Sequence, residues 1–384
     1  MQKLGLILVS VGAVLALALG LIGMCTVGVP YLDVALLSAV LVSLAGFFLR
    51  ILELPLGHPR RRTALRILPL VAVMLVLLLV FGLWFREFLR PANLVDLAQQ
   101  ISVNAILAFG MTLVILIGGI DLSVGALLAL VGTTTVYLLA ARQGDAQNLL
   151  WTLTAVFAGL GVAAAFGTFN GVLAATSRMP AFIITLATML IARGAARRFN
   201  QGQPLRIPDH EAVFQALGFP LFLQRDIPAI LKVPVPALIM LVVFALTAIL
   251  LHRTRFGQQV YAIGGNRQAA RFTGIPVVRT EILVYVLCSL LTGIAGMIHT
   301  SQLMSAQASS GEGFELNAIA AAVVGGTSFT GGQGTMYGTL LGAIIIGILN
   351  KGLNQAGVHY SLQLIVKGAV ILAAVYFDVR RRNR

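Results

Sequence analysis

Long stretches without one charged side chain dominate this sequence. Leu316–Asn350 runs for 35 residues without Asp, Glu, Lys or Arg, Ala146–Ser177 for 32, and Leu4–Leu32 for 29. A bilayer core about 30 Å thick is crossed by a helix of about 20 apolar residues. The remaining runs are Val34–Phe48, Ile67–Phe85, Leu97–Ile120, Leu122–Ala141, Met179–Ala192, Val233–Leu251, Ile282–Ile298 and Tyr360–Phe377, the last interrupted by Lys367. Split where glycines break the longest, they amount to about twelve spans. Backbone polar groups in lipid must be satisfied within the segment, so an all-α polytopic membrane protein is expected.

The chain has 384 residues, 58% hydrophobic and only 10% charged. Soluble domains carry roughly 25% charged residues, so an ordinary soluble enzyme is excluded. A net charge of +14 would point to nucleic acid in a soluble protein. Here the basic residues follow topology instead, and no nucleic-acid partner is expected. Short Arg- and Lys-rich loops stay in the cytoplasm. One holds Arg50, Arg60, Arg61, Arg62 and Arg66, the loop 253–281 holds five Arg, and the tail holds Arg380, Arg381, Arg382 and Arg384. Twelve spans with the N-terminus inside put all three, and both termini, in the cytoplasm. The basic segment Arg193–Lys232 falls outside, as long loops do regardless of charge. Leu4–Met24, at 21 residues, exceeds a signal-peptide core of about 7–15, and a retained helix is expected. Met24 is a poor neighbour for a lipoprotein cysteine at Cys25.

Chemistry is sparse. No Gly-x4-Gly-Lys-Ser/Thr phosphate cradle occurs, so the chain is expected to bind no nucleotide cofactor itself. Five scattered histidines and two cysteines in apolar runs give no metal spacing and no disulfide framework. Neither an enzymatic constellation nor a metal site is expected.

Two segments stand out. Gly118–Gly125 (GGIDLSVG) places Asp121 between two apolar runs. A carboxylate there reads either as a turn at the cytoplasmic face that caps the next helix with Ser123, or as part of a solute pathway. In the loop 253–281, Asn266 can cap a two-turn helix over Arg267–Thr273, Gly274 fits the position after its end, and Pro276 prevents continuation. Such a self-capped helix suits a groove on a cytoplasmic partner; the alternative is the membrane surface, with Arg267 and Arg271 near anionic lipid. Gly334, Gly338 and Gly342, and Gly167 and Gly171, recur every four residues and predict close helix packing, with a break at 331–334. The stretch 193–232 is expected to hold a short helix at the pore mouth, and Glu312 and Glu315 flank it as either a docking surface or solvated loop.

The stretches Ile101–Gly125, Gly167–Ala192, Tyr261–Ile275 and Gly313–Gly347 resemble the permease subunit of bacterial sugar ABC importers, the ribose/xylose/arabinose/galactoside group. The likeness covers roughly residues 65–384. It implies a ten-helix transmembrane domain over 63–384, with 1–62 as a two-helix N-terminal extension. It also implies a second permease copy, a cytoplasmic ATP-binding subunit, a periplasmic sugar-binding protein and a place in the bacterial inner membrane. The resemblance makes Asn266, Arg267, Gln268, Ala269, Ala270, Arg271 and Gly274 the ATPase-coupling element. Asn317 stands where relatives often carry Asp. Solute would pass Asn104, Thr112, Asp121, Asn170, Thr185 and Thr188, polar residues within or beside spans that could equally bond neighbouring helices. An ion-coupled secondary carrier is the competing expectation, but such carriers favour intramembrane acids, which are scarce here.

Overall fold

The computed structural model describes residues 59–85, 87–142, 148–219, 234–359, 361–370 and 372. The two N-terminal spans, Cys25, most of the first basic loop and the Arg-rich tail lie outside the described residues. In chain order the helices are α1 (Pro59–Trp84), α2 (Pro91–Leu116), α3 (Val124–Ala141), α4 (Leu149–Thr176) and α5 (Ala181–Arg198). Then come α6 (Ala212–Gln215), α7 (Val235–Arg253), α8 (Arg255–Gly265), α9 (Arg267–Phe272), α10 (Val277–Gln302), α11 (Phe314–Val324) and α12 (Met336–Gln355). A short apolar helix, α13 (Ser361–Val370), follows. Among the described residues, seven helices are long and apolar enough to cross a membrane: α1, α2, α3, α4, α7, α10 and α12.

The helix α2 is the axis of the bundle. Ala105 through Phe109, Met111 and Leu113 through Leu116 are fully buried, so this helix is apolar on every side, as a core helix must be. Around it pack α7, α10, α11 and α12, with α1 against α12 and α4 against α10.

Two chain reversals give the bundle its character. After α2 ends at Leu116 the chain does not leave the protein: Gly119 lies against the Tyr285 hydroxyl, and Gly125 against Gly311 and the Glu315 carboxylate. Tyr285 is eight residues inside α10, about 12 Å from its start, so α3 begins deep in the bundle. Leu128 then faces Gly296, and Gly132 faces Thr300. The second reversal follows α10, where residues 303–313 fold back through Gly311 and Gly313, both at positive φ. From there α11 runs the opposite way to α3, reaching α12 where Ala321 meets Gly342 and Gly325 meets Gly338. With 11 residues, α11 is about 16 Å long, half a crossing. The expectation that 316–350 supplies two full spans is therefore corrected: the first is a half-helix, because the preceding coil already occupies the rest of the depth.

The glycine spacing behaves as helix packing, with one correction. Gly338 and Gly342 lie on α12, but Gly334 sits in the turn before it, in contact with Thr327. The outer segment contains α6, as expected of a short helix, and also a strand absent from the sequence reading. Leu205–Arg206 pairs antiparallel with Ser305–Ala306, joining the outer segment to the second reversal.

A Cβ at Gly342 would fall 2.0 Å from the Ala321 carbonyl oxygen, whereas one at Gly161 on α4 would meet nothing within 4 Å. Gly342→Ala is expected to lower stability by about 1–3 kcal/mol by forcing the helices apart. Gly161→Ala should be neutral or slightly stabilising. Thermal unfolding of the detergent-solubilised variants measures both.

Candidate functional site

The first reversal is a buried polar knot. Asp121 is completely buried; its Oδ1 accepts the Ser123 N–H at 2.9 Å and the Ser123 hydroxyl at 2.5 Å. Asn170 of α4 donates its side-chain amide to the Ser123 Oγ at 3.2 Å. From α5, the Thr185 Oγ1 accepts the Leu122 N–H and donates to the Ile120 carbonyl, both at 3.1 Å. Thr188 sits one turn on and donates to the Thr185 carbonyl at 3.1 Å. Two helices, α4 and α5, thus hold one coil, and Asp121, Asn170, Thr185 and Thr188 come together. Thr112 and Asn104 do not join them: Thr112 bonds to Thr339 of α12 at 2.7 Å, and Asn104 is half-buried two turns further along α2.

The expected turn at an aqueous face is corrected. The residues after Leu116 turn inward, so Asp121 reaches Ser123 as a turn-forming carboxylate inside the bundle. The helix-capping part of the reading is corrected too: Ser123, the residue before α3, makes no side-chain cap bond, and Asp121 accepts the Ser123 N–H instead. The Asp121 Oδ2, Asn170 Oδ1, Tyr285 hydroxyl and Ser289 hydroxyl are buried without a hydrogen-bond partner among the described residues. Tyr285 and Ser289 escaped the sequence reading, being single polar residues in an apolar run. Lys367 is half-buried on α13.

The segment 253–281, expected in the cytoplasm, holds two helices between α7 and α10. The first, α8, was not anticipated; Gly257, Val260 and Ile263, three apart, form its buried face. The second, α9, matches expectation to within one residue. The Asn266 Oδ1 accepts the Ala269 N–H at 3.0 Å. At the other end Gly274 has φ +81°, with Gly274 N–H bonded to the Arg271 carbonyl and Ile275 N–H to the Ala270 carbonyl, both at 3.1 Å. That pair of bonds closes a helix end that only glycine accommodates cheaply. Ala270 clusters with Ile263 and Val277, and Ile117 packs against that cluster. Asn266, Arg267, Gln268, Ala269, Arg271 and Gly274 are all exposed. Arg267 turns back to the Glu281 carboxylate at 2.7 Å and the Ala175 carbonyl at 3.2 Å, bracing α9 against α10 and α4. Phe272 is 89% exposed, an aromatic ring presented by a rigid two-turn helix.

At the opposite end, Arg193 of α5 donates to the carbonyls of Ala308 and Ser310, the latter at 2.7 Å, and so holds the second reversal. Burial lowers the pKa of this guanidinium, while Glu312 and Glu315 oppose that shift. The outer end of α2 lines a cavity of about 230 Å³ with Asp96, Gln99, Gln100, Gly218, Phe219 and Gln302.

A helical bundle with interrupted helices, a buried polar coil and a braced surface helix defines a membrane permease. The chain belongs to the family described as branched-chain amino acid transport system / permease component, which matches residues 93–375. It is similar to the ribose import permease protein RbsC of Escherichia coli K12, 45% identical over 309 residues, covering 80% of this chain and 92% of that protein. The RbsC of Bacillus subtilis is 42% identical over 306 residues, covering 80% and 90%. The L-arabinose transport system permease protein AraH of Escherichia coli is 35% identical over 309 residues, covering 80% and 89%. No solved structure matches the chain.

Asp121 has hydrogen bonds but no ion pair among the described residues, and a fully buried charge without one is costly. Asp121→Asn keeps an acceptor for Ser123 and is expected to remain close to wild type in thermal stability. Asp121→Ala strands the Ser123 donors and should cost about 1–3 kcal/mol. Melting curves of the two purified variants separate these outcomes.

Proposed function

We propose that this chain is the membrane subunit of a binding-protein-dependent ABC importer that passes a monosaccharide, a pentose or hexose, across the bacterial inner membrane. The reading is carried by the 42–45% identity to two ribose permeases over 80% of the chain. It takes the ten-helix domain to be the permease core, the N-terminal 62 residues to add two further spans, and both termini to be cytoplasmic. Its partners are a cytoplasmic ATPase, which binds the ATP, a periplasmic sugar-binding protein and a second permease copy.

The chain itself performs no bond chemistry. ATP binding closes the two ATPases, displaces the α9 helices and rocks the bundles between outward- and inward-facing states. The self-capped geometry of α9 supports the docking role, because a rigid helix loses little entropy on binding. Phe272 supplies the anchor: a protruding aromatic ring filling a partner's pocket is the usual centre of such an interface. The polar knot around Asp121, with Asn170, Thr185 and Thr188, supplies hydrogen-bonding groups beside the pathway, and a neutral sugar needs no more than brief, weak contacts of that kind. The amide-rich outer cavity fits entry of a polyhydroxylated solute.

Phe272→Ala is expected to weaken ATPase association by at least about tenfold, as loss of a buried aromatic anchor does, and to reduce uptake accordingly. Replacing Arg267–Arg271 with Gly-Ser residues should abolish both. Co-purification and sugar uptake in proteoliposomes are the measurements. Uptake that persists with no ATPase bound overturns the importer reading in favour of an ion-coupled carrier.

A further inference from the structure

At the cytoplasmic end of the bundle three backbones meet with almost nothing between them. The Leu116 carbonyl, at the end of α2, accepts the Gly332 N–H at 2.9 Å. A Cβ on Gly264 of α8 would sit 1.8 Å from that carbonyl oxygen and 2.4 Å from the Gly332 nitrogen. Only a glycine lets α8 cross here. The turn on the far side uses Gly331 and Gly332, both at positive φ, as it connects α11 to α12.

Tyr261 lies one turn earlier on α8 and donates its hydroxyl to the Gly334 carbonyl at 2.7 Å. Burial pushes its pKa up to about 12, so it remains a donor at neutral pH. His252 stacks on both Tyr261 and Tyr337, with ring centroids 6.4 and 5.6 Å apart, and its Nε2 accepts the Met336 N–H at 3.4 Å. The start of α12 is thereby tied to the same cluster.

Behind this junction stands α9. Asn266 alone separates it from α8, and Ala270 clusters with Ile263 of α8, with Ile117 packed against that cluster. Ile117 opens the coil that carries Asp121. One rigid pair of helices, α8 and α9, therefore touches both the reversal at 117–123 and the turn at 325–335.

The two kinds of contact differ mechanically. Close backbone packing at Gly264 resists compression and transmits a push. Its hold against separation is short-ranged, since dispersion falls off within an ångström or so. A directional hydrogen bond resists separation and transmits a pull. Among the described residues, the Tyr261 bond is the side-chain hydrogen bond that joins α8 to the turn.

We propose that Tyr261 is a positioning residue that, with the Gly264 crossing, passes displacement of α9 to the reversal at 117–123 and to the turn at 325–335, Tyr261 carrying the pulling half of the cycle. The inference rests on the importer reading above and deepens it. Tyr261 stands outside the docking helix and touches no solute.

The test uses the whole complex, this chain with its ATPase and binding protein, in proteoliposomes. Tyr261→Phe keeps the ring and removes the hydroxyl. ATPase co-purification is expected to match wild type and ATP hydrolysis to stay within about twofold, while sugar taken up per ATP falls about fivefold, the scale of one lost hydrogen bond. Unchanged uptake per ATP overturns the proposal. So does loss of uptake in proportion to lost ATPase, which makes Tyr261 a docking support only. A second measurement needs no variant: hydrogen exchange of the wild-type complex with and without ATP. Protection of 117–123 and 325–335 should change together with that of 261–275; a response confined to 261–275 overturns the link. A wild-type chain that imports sugar without an ATPase overturns the importer reading itself, and the link with it.

Discussion

Where a helix stops inside a membrane protein, its backbone polar groups have no water to turn to. The coil at 117–123 meets that demand with its own Asp121 and Ser123 and with side chains from two helices, Asn170 from α4 and Thr185 from α5. The coil at 303–313 meets it with Arg193, which bonds two of its carbonyls, and with a strand pairing to 205–206. Each coil ends where another helix begins, and those two helices, α3 and α11, start side by side at Gly125 and Gly311. Almost every distinctive contact follows from the need to solvate these interruptions internally.

The glycines serve the same end. Backbones at Gly125, Gly264, Gly338 and Gly342 approach other backbones too closely for any Cβ. In a medium where apolar side chains gain nothing by leaving lipid, such close backbone approach is what holds helices together. It also makes the bundle stiff along some directions and free along others, which suits a protein that must change shape without coming apart.

The membrane class, the helical content and the α9 motif were legible because each rests on a local rule: run length, internal hydrogen bonding, and cap chemistry at Asn266 and Gly274. The packing role of Gly167, Gly171, Gly338 and Gly342 was legible from spacing. The depth of Asp121 was not, because nothing in GGIDLSVG says which way the chain turns after Leu116. Nor could run length reveal that Phe314–Val324 is half a crossing, since the turn at 325–335 that follows carries no charge and prolongs the run. Phe272 and Tyr261 were hidden for another reason: a single aromatic residue has no periodicity to betray it.

By itself, then, the sequence determined the solvent of this protein. Ten per cent charge and runs of up to 35 uncharged residues admit only a bilayer, and the Arg-rich loops dictate the expected orientation. Its likeness to sugar permeases adds what such a membrane protein would carry. Tertiary structure alone decided which polar residues meet. Asp121, Asn170 and Thr185 are up to 64 positions apart in sequence, and they share one knot because α3 starts inside the bundle. The joining of α8 to the first reversal and to the turn at 325–335 is equally tertiary. It depends on backbones that touch only after the helices have packed, and no local pattern encodes that.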